Sequence, residues 1–433
     1  MSNSKALKVA IAGLGTVGAG TVKLLAEQAD VIAARSGRPV LVTAVSARDR
    51  NRDRGVTLGG GVQWFDDAET MAREADADVI VEVIGGSEGI ARRTCEAALA
   101  AGRHVVTANK ALLAMHGAEL AAKAEAKGLT LAFEAAVAGG IPIIKALREG
   151  LAGNRLSQVY GILNGTCNYI LTTMRETGRD FADVLAEAQA LGYAEADPSF
   201  DIDGVDAAHK LSILASVAFG TVVDFSKLHI EGIRHVSALD IQFAQELGFR
   251  IKLLGIARRT DKGIEQRVHP CMVPINSSIG RVDGVFNAVV AEGDYVGRAV
   301  FEGRGAGAGP TASAVAADIV DIAAGRRAPT FGVSAGALTP LQVSPMDERR
   351  GAYYIRLMVV DRPGVFADIA AALRDEEVSM EAVLQRARAP GEAVPLVMTV
   401  HDTQEAAVSR AMARIEALDT VVEAPRLIRI ETF

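Results

Sequence analysis

The chain has 433 residues, 49% of them hydrophobic and 5% aromatic, with 46 Lys and Arg against 53 Asp and Glu, a formal net charge of −7. That length exceeds one ordinary core and implies roughly two to three domains, and the negative balance with few aromatic faces argues against a nucleic-acid partner. No run of about 18 apolar residues suggests a membrane span, and no secretory leader precedes the first strand. The cysteines Cys95, Cys167 and Cys271 are widely spaced and odd in number, which predicts reduced thiols in a cytoplasmic protein. The seven His residues show no metal-ligand spacing.

Leu7 to Ala12 reads as a short apolar strand running into a glycine-rich turn, and a helix follows through Leu24 and Leu25. Val40 to Val45, Asp78 to Ile84, His104 to Thr107 and Leu129 to Phe133 read as further strands, with helical composition from Glu88 to Ala101. Strands separated by helices predict parallel βαβ units, hence an α/β, Rossmann-type domain over residues 1–140. A helix near 305–325 is expected to return to it. After Gly139, Gly140, Ile141 and Pro142 the texture changes. Helical segments near Asp180 to Ala190 and Asp206 to Phe219 mix with strands near Val159 to Leu163, Ile251 to Arg258 and Val285 to Val290. This predicts an α+β catalytic and dimerisation domain over 141–304. Pro329, Pro340 and Pro345 mark 326–350 as a linker. Residues 351–433 read as a separate unit. Tyr353 to Val360, Val378 to Gln385, Leu396 to Val400 and Arg426 to Glu431 are its strands, and helical faces carry Val365, Ile369, Ala372 and Leu373, then Val408, Met412 and Ile415. The order βαββαβ is ferredoxin-like.

Gly13, Gly15 and Gly18 form G-x-G-x-x-G between a strand and a helix, with Thr16 and Val17 opening that helix. The glycines permit a tight turn and close backbone approach to a pyrophosphate, and the helix N-terminus supplies amides and positive potential. The second strand ends in VSARDR. Arg48 and Arg50 suit a 2′-phosphate, so NADP is favoured, while Asp49 keeps NAD open. The plain alternative for both arginines is solvated loop charge.

Thr107 and Lys110 belong to TANK after a predicted strand, where strand ends line the ligand crevice, so Thr107 is a cofactor-side candidate and Lys110 is placed to meet cofactor or substrate, the plain alternative being a surface Lys that opens the next helix. The run LGYAEADPSFDIDGVDAAHK concentrates Glu195, Asp197, Asp201, Asp203, Asp206 and Lys210. Asp206 and Lys210 are spaced i,i+4 on one helical face, and Ile213, Leu214 and Val217 imply that this helix is largely buried. A partly buried Lys beside carboxylates can serve as an acid/base group. The bland reading is an exposed helix pair after an acidic turn.

The run from Ala188 to Lys210 resembles the homoserine dehydrogenase signature: Ala, three residues, Gly-Tyr-Ala, two residues, Asp-Pro, two residues, Asp-Ile, one residue, Gly, one residue, Asp, three residues, Lys. TANKALL, GILNGTCNYI and GRGAGAGPTA stand in the order that family shows. The resemblance implies reversible, NAD(P)-dependent reduction of L-aspartate 4-semialdehyde to L-homoserine, by a homodimer or homotetramer. It implies Lys210 as acid/base group, Lys110 assisting it, and Asp206 beside them. Glu195 and Asp201 would bind the amino-acid substrate or orient Lys210, with Tyr193, Gly165 and Thr166 lining its pocket. Gly303, Gly305 and Gly307 would approach the cofactor. Glu134, Val137, Gly139 and Ile141 would hold sodium or another monovalent cation, through one carboxylate and backbone carbonyls.

VVDRPGVFADIAAAL, residues 359–373, resembles the first strand, turn and helix of ACT domains. The resemblance implies an amino-acid effector, with threonine as the expected one, at the turn formed by Asp361, Gly364 and Val365. Two other readings compete. Cys167 could attack an aldehyde and form a thioester, with His209 or His235 as base, or the chain could sense amino acids without turnover.

Overall fold

A computed structural model describes residues 5–385 and 390–433. Short β-branched runs alternating with Ala-rich helices close the first 132 residues into a six-stranded parallel sheet. Its strands are β1 (Leu7–Ala12), β2 (Val40–Ser46), β3 (Gln63–Phe65), β4 (Val79–Glu82), β5 (His104–Thr107) and β6 (Leu131–Ala132), in spatial order β3-β2-β1-β4-β5-β6. The order reverses between β1 and β4, which opens a crevice at the carboxyl ends of the strands. Val9, Ile11, Val45, Val79 and Val81 are buried beneath the flanking helices. The helix Ala308–Ala323 returns to this sheet and packs on Thr16–Glu27. Gly20 makes that approach possible: a Cβ there would stand 2.9 Å from the Ala308 carbonyl oxygen.

The second sheet is larger than two separate units would give. Its strands are β7 (Leu156–Ile162), β8 (His229–Ile230), β9 (Phe249–Thr260), β10 (Gly263–Pro274), β11 (Phe286–Gly293), β12 (Gly297–Arg304), β13 (Arg350–Val360), β14 (Met380–Gln385), β15 (Ala393–Gln404) and β16 (Arg426–Ile430). The order is β12-β11-β7-β9-β10-β16-β13-β15-β14, with β8 also on β10. The ferredoxin-like βαββαβ unit is present, but it is not free-standing. Its strand β16 lies parallel to β10, pairing Arg429 with Cys271 and Ile430 with Met272, and one sheet therefore crosses both units. Tyr354, Val397, Ile428 and Ile430 on one face join the core of the preceding domain, whereas Tyr353, Ile355, Leu357, Ile369 and Ile415 form a core under the unit's own helices.

The Pro-containing segment 326–350 is also more than a tether. The amide of Val222 donates to Thr339, that of Thr339 to Gly220, that of Ile264 to Gln342, and that of Ser344 to Ile264, at 2.8–3.1 Å. Phe331 is buried against Phe133, ring centroids 5.3 Å apart. Among the described residues no helix is long and apolar enough to cross a membrane.

Candidate active site

The glycine turn folds as its spacing predicts. Gly13 has φ +100°, and a Cβ on Gly18 would fall 1.9 Å from the Gly13 carbonyl oxygen, so neither position accepts a side chain. The helix Thr16–Glu27 has no side-chain cap at its N-terminus, which leaves its first amides for an anionic ligand. Thr16 is exposed there, and Val17 packs partly into the core. A cleft of about 610 Å³ opens beside the turn, lined by Gly13, Gly15, Ser46, Arg48, Asp49, Arg52 and Arg54, among others. Asp49 is turned into its own loop, accepting from the amide of Asn51 at 2.9 Å. Arg50 and Arg54 lie over the Trp64 ring. Arg54 donates to the carbonyls of Leu14, Arg52 and Asp49, tying the loop after β2 to the glycine turn. Neither Arg52 nor Arg54 stood out in the sequence, where they look like ordinary loop charge.

Thr107 ends β5 with its side chain turned inward and buried. Its hydroxyl donates to Glu82 at 2.6 Å and accepts from the amide of Asn109 at 3.0 Å. Glu82, fully buried, also accepts from the amides of Ile84 and Gly85. Asn109 then caps the helix Lys110–Ala126 through the amide of Leu112. These contacts set the direction in which Lys110 leaves the strand end.

Lys110 reaches across to the other domain. Its Nζ lies 2.7 Å from Oδ1 of Asp206, and Lys210 Nζ lies 2.7 Å from Oδ2 of the same carboxylate. Asp206 and Lys210 occupy adjacent turns of the helix Val205–Phe219, which Gly204 starts at φ +85°. Lys210 also donates to the Leu163 carbonyl at 2.8 Å. Asn164, which the sequence reading missed, donates to both Asp206 and Asp201 at 2.8 Å and caps the helix Gly165–Thr177 through the amide of Cys167. Its Asn-Gly step at a strand-to-helix junction was the available signal.

The two lysines are displaced in opposite directions. Burial pushes the Lys210 ammonium below the ordinary lysine value; Asp206 offsets part of this and the charge of Lys110 adds to it. Burial opposes the charge on Lys110 too, but Asp206, with Asp201 and Glu195 beyond, holds its ammonium above that value. Burial works against ionisation of Asp206, yet both lysines keep its carboxyl well below the usual range. Burial and the nearby Asp206 push Asp201 up. Two like groups held apart in this way suit one proton carrier and one fixed charge.

The remaining predicted substrate residues surround this cluster loosely. Thr166 donates to the Tyr193 carbonyl at 2.7 Å, which leaves the exposed Tyr193 ring tilted against Tyr169. Gly165 is packed against Val285, with no room for a Cβ. Glu195 is exposed and reaches the lysines by its charge rather than by contact.

Packing bears on three further expectations. Both carboxylate oxygens of Glu134 accept backbone amides, from Ile144 and Lys145 at 2.9 Å, so its carboxylate already caps a helix start. Gly305 is closed in, since a Cβ there would overlap Asn287 and one on Gly139 would overlap Gly305. Gly303 packs on Ile141, and only Gly307, φ +120°, stays exposed at the N-terminus of Ala308–Ala323. Val365 points into the core of its own unit. Gly364, φ +96°, starts the helix Val365–Asp375, and the Asp361 amide donates to Glu392.

Cys167 is fully buried, and burial pushes its thiol far above the ordinary value, which is wrong for a nucleophile. His209 packs between Phe200 and Phe225. His269, Cys271 and Glu431 bring donor atoms within 4.8 Å of one another. Arg267 and Arg349 already hold Glu431 there, which disfavours a further cation.

Comparison with known proteins adds the following. A family model described as Homoserine dehydrogenase matches residues 142–320, one described as Homoserine dehydrogenase, NAD binding domain matches residues 13–134, and one described as ACT domain matches residues 353–420. The chain is 47% identical over 436 residues to the homoserine dehydrogenase of Pseudomonas aeruginosa, with 99% of each covered. It is 41% identical over 430 residues to that of Helicobacter pylori, again with 99% of each covered. Among solved structures, a homoserine dehydrogenase from Thiobacillus denitrificans matches with a TM-score of 0.93 and 47% identity over 99% of both chains. A hyperthermophilic archaeal homoserine dehydrogenase in complex with NADPH matches 73% of this chain and 97% of its own, with a TM-score of 0.63 and 28% identity.

Proposed function

The chain belongs to the homoserine dehydrogenase family, and from that premise we propose that it reduces L-aspartate 4-semialdehyde reversibly to L-homoserine with NADPH, serving threonine and methionine biosynthesis in the cytoplasm. A dinucleotide held with its pyrophosphate at the glycine turn would supply the hydride for the aldehyde carbon. Lys210 delivers a proton to the oxygen as negative charge develops on it, and Lys110 stays charged and stabilises that oxygen. Asp206 holds both ammonium groups and keeps them apart. Asp201 and Glu195 take the substrate ammonium group. In the oxidising direction neutral Lys210 removes the hydroxyl proton.

The observation that carries this reading is the single buried carboxylate shared by two lysines from two domains. Exposed Arg48 and Arg52 at the end of the cleft favour a 2′-phosphate, and Asp49, engaged in its own turn, is poorly placed for a ribose hydroxyl. Steady-state reduction of aspartate semialdehyde with each cofactor tests the assignment. Turnover with a lower KM for NADPH than for NADH is expected; turnover with neither overturns it.

We also propose sodium or another monovalent cation at the turn of Glu134, Val137, Gly139 and Ile141, held by that one carboxylate and by backbone carbonyls. The support is electrostatic: burial and Asp318 push the Glu134 carboxyl up to about 7, and a cation would offset that repulsion. Threonine is assigned to the turn at Asp361 and Gly364, where a helix N-terminus meets a carboxylate. A homodimer or homotetramer is expected.

A further inference from the structure

Arg429 lies on β16, 5% exposed, where the ACT unit enters the large sheet. Its guanidinium divides between two carboxylates from opposite sides of the seam. Both terminal nitrogens donate to Glu231, each at 2.9 Å. Nε and one terminal nitrogen donate to Glu405, in the first turn of the ACT helix Glu405–Glu416, at 2.5–3.1 Å. Glu231 also meets His229 at 2.7 Å.

Glu231 belongs to a short segment that grips the acidic loop below the catalytic helix. The amide of Glu231 donates to Val268 on β10, and that of Ile233 to Ile202, at 2.7 and 2.8 Å. Gly232 is pressed onto the loop so closely that a Cβ would fall 2.2 Å from the Ile202 carbonyl oxygen and 2.5 Å from Asp203 Cα. Arg234 holds Asp203 and Ser199 through its side chain. Two residues before Asp203 stands Asp201, and three after it stands Asp206. The seam therefore touches the substrate-binding loop through one continuous line of packed backbone and charge.

A second seam supplies a contrast. Arg356 on β13 donates to Asp240 at 2.7 Å, and Tyr354 donates to it at 3.1 Å. Asp240 lies in the helix Ala238–Glu246 and completes its capping box with Ser237. The hydrogen bonds of Asp240 end at its own cap, Arg356 and Tyr354, and none goes to residues 199–206.

We infer that Arg429 is a positioning residue for homoserine: through Glu231 and Gly232 it sets the place of the Asp201–Asp206 loop, and it transmits the state of the ACT unit to substrate affinity. Paired guanidinium and carboxylate groups fix geometry through a rigid planar fork, which a lysine cannot reproduce. Small displacements of a positioning loop have large kinetic effects.

This inference rests on the reading under Proposed function, and wild-type homoserine oxidation tests that reading first. The full-length variants Arg429→Lys, Glu231→Gln and, as a matched control, Arg356→Lys are then compared. We expect Arg429→Lys and Glu231→Gln each to raise the KM for homoserine about tenfold, with the KM for NADP+ unchanged and the response to added threonine weakened. The double variant should lose no more than the worse single one. Arg356→Lys should leave both KM values near wild type. If Arg429→Lys does not fold, Glu231→Gln, whose side chain is partly exposed and keeps its shape, decides alone. Equal homoserine KM in wild type, Glu231→Gln and Arg356→Lys, with wild-type turnover intact, overturns the inference but not the assigned reaction. An equal rise in all three also overturns it, because the seam would then act as general support.

Discussion

In the crevice Lys110 and Lys210 share the carboxylate of Asp206, whereas at the seam Arg267, Arg349 and Arg429 are spread over Glu231, Glu265, Glu405 and Glu431. Both clusters are largely buried, and both face a desolvation penalty. They meet it with different cations. Arginine keeps its proton at any working pH, and its fork satisfies several acceptors, so the seam is an arrangement of fixed charge. Lysine yields its proton when buried, and at the crevice the carboxylates are too few to hold both ammonium groups equally. Burial alone therefore does not mark a catalytic cluster; the residue able to change its charge does.

The strongest way to break this comparison is to place the seam's cation in the crevice. Lys210→Arg keeps the charge but cannot exchange a proton, and it should lose about three orders of magnitude in turnover, nearly as much as Lys210→Ala. NADP+ binding, followed by fluorescence titration, should stay close to wild type. Near-normal homoserine oxidation by either variant would end the assignment. Next in size is the seam itself. Arg349→Met leaves Glu431 and Glu405 short of a partner and should cost about 3–5 kcal/mol in chemical denaturation; an unchanged midpoint would mean the seam carries little stability.

A subtler test sharpens the crevice half. On the proposed mechanism oxidation needs neutral Lys210, so kcat/KM for homoserine should rise with pH along a limb lying below the ordinary lysine value, because burial and the charge of Lys110 both favour the neutral amine. Lys110→Met removes that neighbouring charge, which raises the affinity of Lys210 for its proton and moves the limb to higher pH. A limb that stays in place would separate the two lysines. The smallest expected effect belongs to Cys167→Ala, with turnover within about twofold of wild type, as fits a small buried hydrophobe; loss of activity would revive a thioester route.

The parallel sheet and the glycine turn were readable in the sequence because each rests on local rules. Short apolar strands such as Leu7–Ala12 and a fixed glycine spacing need no distant partner to be recognised. Asp206 and Lys210 were readable as a pair for the same reason, being one helical turn apart. Their meeting with Lys110, about a hundred residues away, followed only from the resemblance. Three features escaped. Strand β10 carries Glu265, Gln266, Arg267 and His269 in buried positions, so its polar residues hide any alternation. The Pro-containing strap looked like a tether because its hydrogen bonds go to residues as far off as Gly220 and Ile264. The junction of β10 with β16 spans about 160 residues, and no local pattern announces it.

That junction bears on how the molecule can be divided. One side of β10 is covered by β8 at Arg267 and Val268 and by β16 at Cys271 and Met272. Cutting the chain before Arg350 would strip the second half of this cover, leaving unsatisfied amides and apolar side chains as a template for self-association. A truncated product should therefore precipitate rather than behave as a catalyst freed from control. Desensitised forms are better sought by single substitutions at the turn proposed for the effector, which leave the shared strand in place.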